Sequence, residues 1–287
     1  MSGSATTLDH IGLCTADGPA LWAAYERLGF SLTPIARQSG RRTPGAPVEP
    51  FGTGNRCAML RRGYLELLAL LDPGGFDNGL SRFLARYTGM HILALGMDDA
   101  AANLARLRRA GIPIAGVSPL ERPVDDPKGP RARFERLPLP DAPEGRVQLI
   151  KHLTPELIWQ ERWLDHQNGA VALEEAVLAS AEPAESAARL SRLAGLPLVP
   201  DPAGGFLLVL PDGTRVRMLS AASLDTVFPG LEPPSLPFLA GFVVRTGDGN
   251  AAATKILAGL PVRELAGGGG LMVPPSHAGG AALVFRA

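Results

Sequence analysis

The chain has 287 residues, of which 46% are hydrophobic and 20% charged, the balance of an ordinary folded protein with a sizeable core. Its 28 basic residues equal its 28 acidic ones, so the basic footprint of a nucleic-acid binder is missing. Two cysteines, Cys14 and Cys57, exclude a disulfide framework and a CxxC zinc site, and no apolar run reaches membrane-spanning length.

Met1 to Leu8 is small and polar, with no apolar segment of the secretory kind, so a cytoplasmic protein is expected. Its expected partner is a small-molecule substrate, with a second copy of the chain as a possible homodimer partner. Neither nucleic acid nor membrane is expected.

The first predicted strand, His10 to Thr15, leads through Asp17 into a helix whose Leu21, Tyr25 and Leu28 share a face. Gly29 closes that helix in the manner of a left-handed C′ residue. The pattern returns three times. Strands His91 to Gly96, Glu175 to Ser180 and Gly241 to Thr246 are each followed by an acidic residue and a helix. Those helices end at Gly111, Gly195 and Gly259, each with a proline two residues on.

Each helix is followed by strand-like segments, the last introduced by a glycine. Gly63 to Leu68 aligns with Gly145 to Ile150, and less closely with Gly213 to Met218 and Gly280 to Phe285. Gly29 to Glu66 and Gly111 to Gln148 both span 37 residues, whereas the later units span 22 and 24. The chain therefore reads as four βαβββ units. A long pair forms an expected domain 1–168, and a short pair an expected domain 169–287. The extra length of the long units lies in the polar, proline-rich stretches Gln38 to Gly54 and Glu121 to Pro130, expected as loops.

Under this alignment His10 and His91 are equivalent, as are Glu66 and Gln148. Pseudo-twofold pairing of two units could bring the four together. Two imidazoles and one carboxylate make a facial triad with open positions, and Gln148 could add an amide oxygen. A carboxylate inside the apolar strand of Glu66 needs a partner if it points inward, and a metal would be one. The equivalent positions of the later pair, Glu175, Arg217, Gly241 and Leu283, suit no divalent metal.

His10, Glu66 and His91, with the segments Leu8-Asp9-His10 and Tyr25-Glu26-Arg27-Leu28-Gly29-Phe30, resemble the vicinal oxygen chelate superfamily. Gly52-Thr53-Gly54-Asn55-Arg56 and Tyr64-Leu65-Glu66-Leu67-Leu68 resemble its glyoxalase-like domain branch. The resemblance covers about residues 6–170. It implies an α+β fold in which paired βαβββ modules form half-open barrels around one divalent metal ion, such as Zn, Fe, Ni or Mn. It implies His10, Glu66, His91 and Gln148 as the metal positions, Gln148 standing where a carboxylate is common.

The implied activity is of the metal-dependent lyase or isomerase type on a small oxygenated metabolite, with Glu66, or a metal-bound water, as the proton carrier. Two rivals are an extradiol-type Fe(II) dioxygenase and a non-catalytic binding or resistance protein. Asn55, Arg56 and His152 are candidate substrate contacts. His152 stands four residues beyond Gln148 and therefore on the same strand face. Trp159 and Trp163 read as packing between domains, His166 as a turn residue, and both cysteines as inert core thiols.

Overall fold

The computed structural model describes residues 3–42, 47–124 and 128–287. The first unit comprises β1 (Ala5–Thr15), α1 (Gly18–Arg27), β2 (Ala36–Gly40), β3 (Glu49–Met59) and β4 (Tyr64–Leu70). A short α2 (Leu80–Leu84) leads to the second unit: β5 (Gly89–Met97), α3 (Ala100–Arg109), β6 (Ser118–Pro123), β7 (Arg131–Pro138) and β8 (Arg146–His152). A connector with 3-10 turns at Pro155–Leu157 and Glu161–Trp163 follows. The third unit is β9 (Ala170–Ala179), α4 (Pro183–Ala194), β10 (Leu198–Pro200), β11 (Gly205–Val209) and β12 (Arg215–Leu219). After α5 (Ala221–Leu224), the fourth is β13 (Phe238–Thr246), α6 (Ala251–Ile256), β14 (Arg263–Leu265), β15 (Gly270–Val273) and β16 (Ala282–Arg286).

Every unit has the same connectivity. Its first strand pairs in parallel with its last, and the two middle strands continue outward in antiparallel fashion. The first strands then pair antiparallel in twos, β1 with β5 and β9 with β13. The result is an α+β fold of two half-open barrels, each of eight strands, whose sheet does not close. The edge strands β2 and β6 approach one another without forming a ladder.

Local chemistry explains the helices. Asp17 and Asp99 accept hydrogen bonds from the amides of Ala20 and Ala102, the N-cap geometry. Gly29, Gly111, Gly195 and Gly259 all take positive φ past their helices, where a side chain would be strained.

The polar stretch Gln38 to Gly54 is not one loop. Gln38–Gly40 completes β2 and Glu49–Gly54 begins β3, because β3 runs beyond β4 to carry the outer hairpin. Likewise Glu121–Pro123 completes β6. Residues 43–46 and 125–127 lie outside the described residues.

Strand alternation divides the side chains in two. Ile11, Leu13, Leu65, Leu67, Leu93 and Leu95 face the helices and join one core that also contains Leu173, Phe242 and Phe285 of the second half. The convex faces of both half-barrels therefore share a single apolar interior. The other face of the first half carries Cys57, Met59, Tyr64, Ala94, Phe134 and Ile150 at one end and Cys14, Leu68 and Ile92 at the other.

One detail controls what else reaches that concave face. Leu8 opposes Leu95 and His10 opposes Ala94, so Asp9 is an extra residue on β1. Gly12 opposes Ile92 and Leu13 opposes Met90, so His91 is the matching extra residue on β5. The second pair repeats the arrangement, with Glu174 and Ala240 as the bulged residues. The glycine before each closing strand of the first half abuts the bulge. A Cβ on Gly145, at φ +144°, would fall 2.3 Å from the His91 carbonyl oxygen, and one on Gly63 would fall 3.0 Å from that of Asp9. Gly145→Ala is therefore expected to lower stability by more than about 2 kcal/mol, measured by chemical denaturation.

Candidate active site

The bulges correct the equivalence expected between His10 and His91. The pairing maps Asp9 onto His91 and His10 onto Ile92, because Leu8, Asp9 and His10 stand to the twofold as Met90, His91 and Ile92 do. Glu66 and Gln148 remain equivalent, facing Gly12 and Ala94. The four central positions are thus His10, Glu66, Ile92 and Gln148. In the second half they are Glu175, Arg217, Gly241 and Val284, the last replacing Leu283 by one residue.

His10 is buried on the concave face, and its Nδ1 lies 2.6 Å from Asp9 Oδ1. Tyr64 stacks on its ring at 4.4 Å between centroids. His152 closes the group, with Nε2 at 3.1 and 3.0 Å from the two Asp9 oxygens. Phe134 and Trp159 meet the His152 ring edge-on. Burial pushes the Asp9 carboxyl up, but hydrogen bonds from His10 and His152 and their charges outweigh it and hold it at about 2. A surface cavity of about 430 Å³, lined by Thr7, Arg61, Arg62 and Trp159, opens onto Asp9.

Glu66 points inward, opposite Cys57, and Asn55 Nδ2 donates to its Oε1 at 2.5 Å. Gln148 is buried on the same face. Three arginines of the second unit face this carboxylate by alternation: Arg122 on β6, Arg136 on β7 and Arg146 on β8. Burial lowers the Arg136 pKa, Arg146 lowers it further, and Glu66 and Tyr64 oppose the shift. Glu66 thus has a positively charged surround without a metal.

Arg56 does not reach this face. It pairs with Leu67 on the helix side, and its guanidinium bonds Thr33 O at 2.8 Å, Glu26 at 2.7 Å and Leu32 O at 3.3 Å. It joins β3 to the chain after α1 rather than contacting a ligand. His166 is likewise a clamp. Its Nδ1 accepts from Ser31 N at 3.0 Å and its Nε2 donates to Met59 O at 2.8 Å. Cys14 and Cys57 are buried, and burial pushes both thiols up to about 12.

His91 is turned away from Glu66. Its Nε2 donates to Tyr87 O at 2.8 Å, and its ring lies against Tyr87 at 3.9 Å and Phe83 at 5.3 Å. Its Nδ1 is buried without a partner. Burial drops its pKa to about 4, with the Tyr87 carbonyl opposing.

The expected divalent metal therefore lacks the second imidazole of its donor set. Among the described residues no three His, Cys, Asp or Glu side chains cluster as a metal group, and Ile92 fills the position assigned to the second imidazole. The residues do not fit the metal.

A model of the glyoxalase-like domain matches residues 8–194, more than half of the chain. The chain belongs to that family. No curated protein sequence matches it. Among solved structures, a hypothetical protein from Staphylococcus aureus is 12% identical with a TM-score of 0.62, covering 97% of this chain and 98% of its own. The Mn(II)-bound glyoxalase from Novosphingobium aromaticivorans is 13% identical with a TM-score of 0.53, covering 99% and 82%. A 4-hydroxymandelate synthase mutant from Streptomyces coelicolor is 12% identical with a TM-score of 0.56, covering 90% and 76%. At these identities the likeness establishes the vicinal oxygen chelate fold. No helix among the described residues of this glyoxalase-like chain is long and apolar enough to cross a membrane.

Two expectations follow for His91. Its folded pKa of about 4 lies below the unfolded 6.5, so the unfolded chain binds the extra proton between those values. Stability should be complete above pH 6.5 and fall as the pH drops toward 4, by on the order of 3 kcal/mol. His91→Phe, which keeps the ring stack, should flatten the melting temperature across that window. Second, divalent-metal content measured by mass spectrometry, on protein purified without a metal-affinity tag, should be equal in wild type and His91→Ala. Stoichiometric metal that disappears in the variant would restore His91 as a ligand.

Proposed function

We propose that the N-terminal half-barrel binds a small oxygenated metabolite and moves a proton on it, chemistry of the lyase or isomerase type, with Glu66 as the proton carrier. The observation that carries this reading is the inward carboxylate of Glu66, oriented by Asn55 and opposite Gly12, two residues along the neighbouring parallel strand from His10. Asp9 fixes the His10 ring through Nδ1, which leaves Nε2 as the nitrogen available to a ligand. Gln148 supplies an amide donor on the same face.

In this scheme Glu66 accepts the proton from a carbon next to a substrate carbonyl. The electron pair moves into that carbonyl as an enolate oxygen, which the Gln148 amide can meet as a hydrogen-bond donor. Return of the proton completes an isomerisation, and departure of a neighbouring group completes an elimination. His152 acts through Asp9 as a positioning residue for His10. The N-terminal pair is the working half and the C-terminal pair its structural support.

A metal-assisted version of this chemistry, suggested by the Mn(II)-bound glyoxalase, is not adopted because Ile92 occupies one of the four central positions.

The test is exchange of carbon-bound hydrogen for solvent deuterium in a panel of small 2-oxo and 2-hydroxy compounds, followed by NMR with a chelator present. At least one compound should exchange, and Glu66→Gln should slow it by about a hundredfold or more. Binding without exchange in wild type would make the chain a non-catalytic binding protein.

A further inference from the structure

The two half-barrels place arginines at comparable concave positions and treat them differently. In the second half Arg215, Arg217 and Arg286 are answered by acids, while Arg263 on β14 donates to the Pro229 carbonyl. Arg215 Nε lies 2.5 Å from Glu175, Arg217 Nε lies 2.8 Å from Glu175, and Arg217 Nη1 lies 2.7 Å from Asp201. Arg286 stands 3.7 Å from the same Glu175. Glu175 and Arg217 occupy the positions that His10 and Glu66 hold in the first unit, so the third unit neutralises itself with an internal ion pair.

The first half has no such answer. Arg122, Arg136 and Arg146 are half-buried on one wall, and none forms a salt bridge to a carboxylate among the described residues. Arg136 Nε is buried without a hydrogen-bond partner, and its Nη2 reaches only Ser118 Oγ at 3.4 Å. Arg146 donates to the Asn78 carbonyl at 2.8 Å and lies over the Phe83 ring. The influence of Arg122 reaches Cys57 and Tyr64, and that of Arg146 reaches Cys14 and Arg136. Strand register puts Arg122, Arg136 and Arg146 on the same concave face as Glu66. Burying like charges with an unmet donor is costly unless a counter-charge arrives.

We infer that the N-terminal half-barrel takes an oxyanion, the carboxylate or phosphate group of its small-molecule ligand, between Arg122, Arg136 and Arg146. This rests on the proposed location of the ligand site and narrows its chemical class. A planar guanidinium fork suits both groups, and the oxyanion would satisfy the unmet Arg136 Nε–H. With the anionic group held on the β6–β8 wall, the reacting carbon of the same molecule faces Glu66 on the β4 wall. The anion thus serves as a handle that sets which atom meets the carboxylate.

The test is isothermal titration calorimetry with malonate and with inorganic phosphate, in buffer containing a chelator. Malonamide serves as the neutral control. Arg136→Gln and Arg122→Gln are compared with Arg109→Gln, whose exposed side chain on α3 bonds only the Ala105 carbonyl, away from the concave face. One of the two anions should bind with unit stoichiometry, and malonamide should not. Each concave substitution should weaken binding by about tenfold or more, and Arg109→Gln should leave it unchanged. Arg122 carries no hydrogen bond among the described residues, so its variant keeps the test open if Arg136→Gln melts early. Tighter malonate identifies a carboxylate ligand, and tighter phosphate a phosphorylated one. Absence of binding by both anions, or binding that survives both concave substitutions, overturns the inference. Glu66-dependent exchange on a neutral compound with no anion binding would keep the proton-transfer reading and discard the oxyanion. Anion binding through the arginines without exchange would do the reverse.

Discussion

Each antiparallel pair of first strands has three register shifts, two of which flank its centre, and the interior of each half-barrel depends on those two. A bulge turns two neighbouring side chains toward similar directions where regular pleating would send them to opposite faces. On β1 the extra residue is Asp9, which meets the His10 ring from the adjoining position and also reaches His152 on β8. On β5 it is His91, which turns to Tyr87 and Phe83 and leaves Ile92 on the concave face. The glycines at 63 and 145 exist for the same reason, since a Cβ at either would press on the bulged carbonyl.

The twofold that relates the units is therefore close in backbone and unequal in chemistry. One side of the N-terminal half-barrel presents an imidazole fixed by a carboxylate, then Glu66 with Asn55. The other presents Ile92, Gln148 and three arginines. A symmetric metal cage needs an imidazole from both first strands, and Ile92 stands where the second would be. The asymmetry polarises the cleft, with His10 and Glu66 on one wall and the three arginines on the other. In the C-terminal half the same positions are joined by the Glu175–Arg217 pair.

Much of this was legible in the residues. Four glycine-ended helices, each preceded by an apolar strand, marked the repeat, and the helix caps and positive-φ glycines agree with it. The correspondence of Glu66 with Gln148 was also visible, though not that the Glu66 carboxylate points inward, and so was the sharing of one strand face by Gln148 and His152. The expected histidine pair was misaligned, and the sequence held the signal. Gly29 and Gly111 are 82 residues apart, as are Glu66 and Gln148, but His10 and His91 are only 81 apart. One residue of slip in a strand exchanges its two faces. Arg56 was misplaced for a related reason, because its turn-like surroundings hid its outward place in β3.

The sequence by itself determined the number of units, their helix boundaries, the apolar strands and the presence of a few chemically active side chains among them. These follow from local rules: periodicity, capping, and the conformational freedom of glycine. Only the tertiary structure decided which side chains meet. Strand order brought Arg122, Arg136 and Arg146 opposite Glu66, from positions 56 to 80 residues away in the chain. The bulges chose His10 over His91 for the interior. Both outcomes depend on register between strands distant in sequence, and register is fixed by how the shared core packs rather than by any local run of residues.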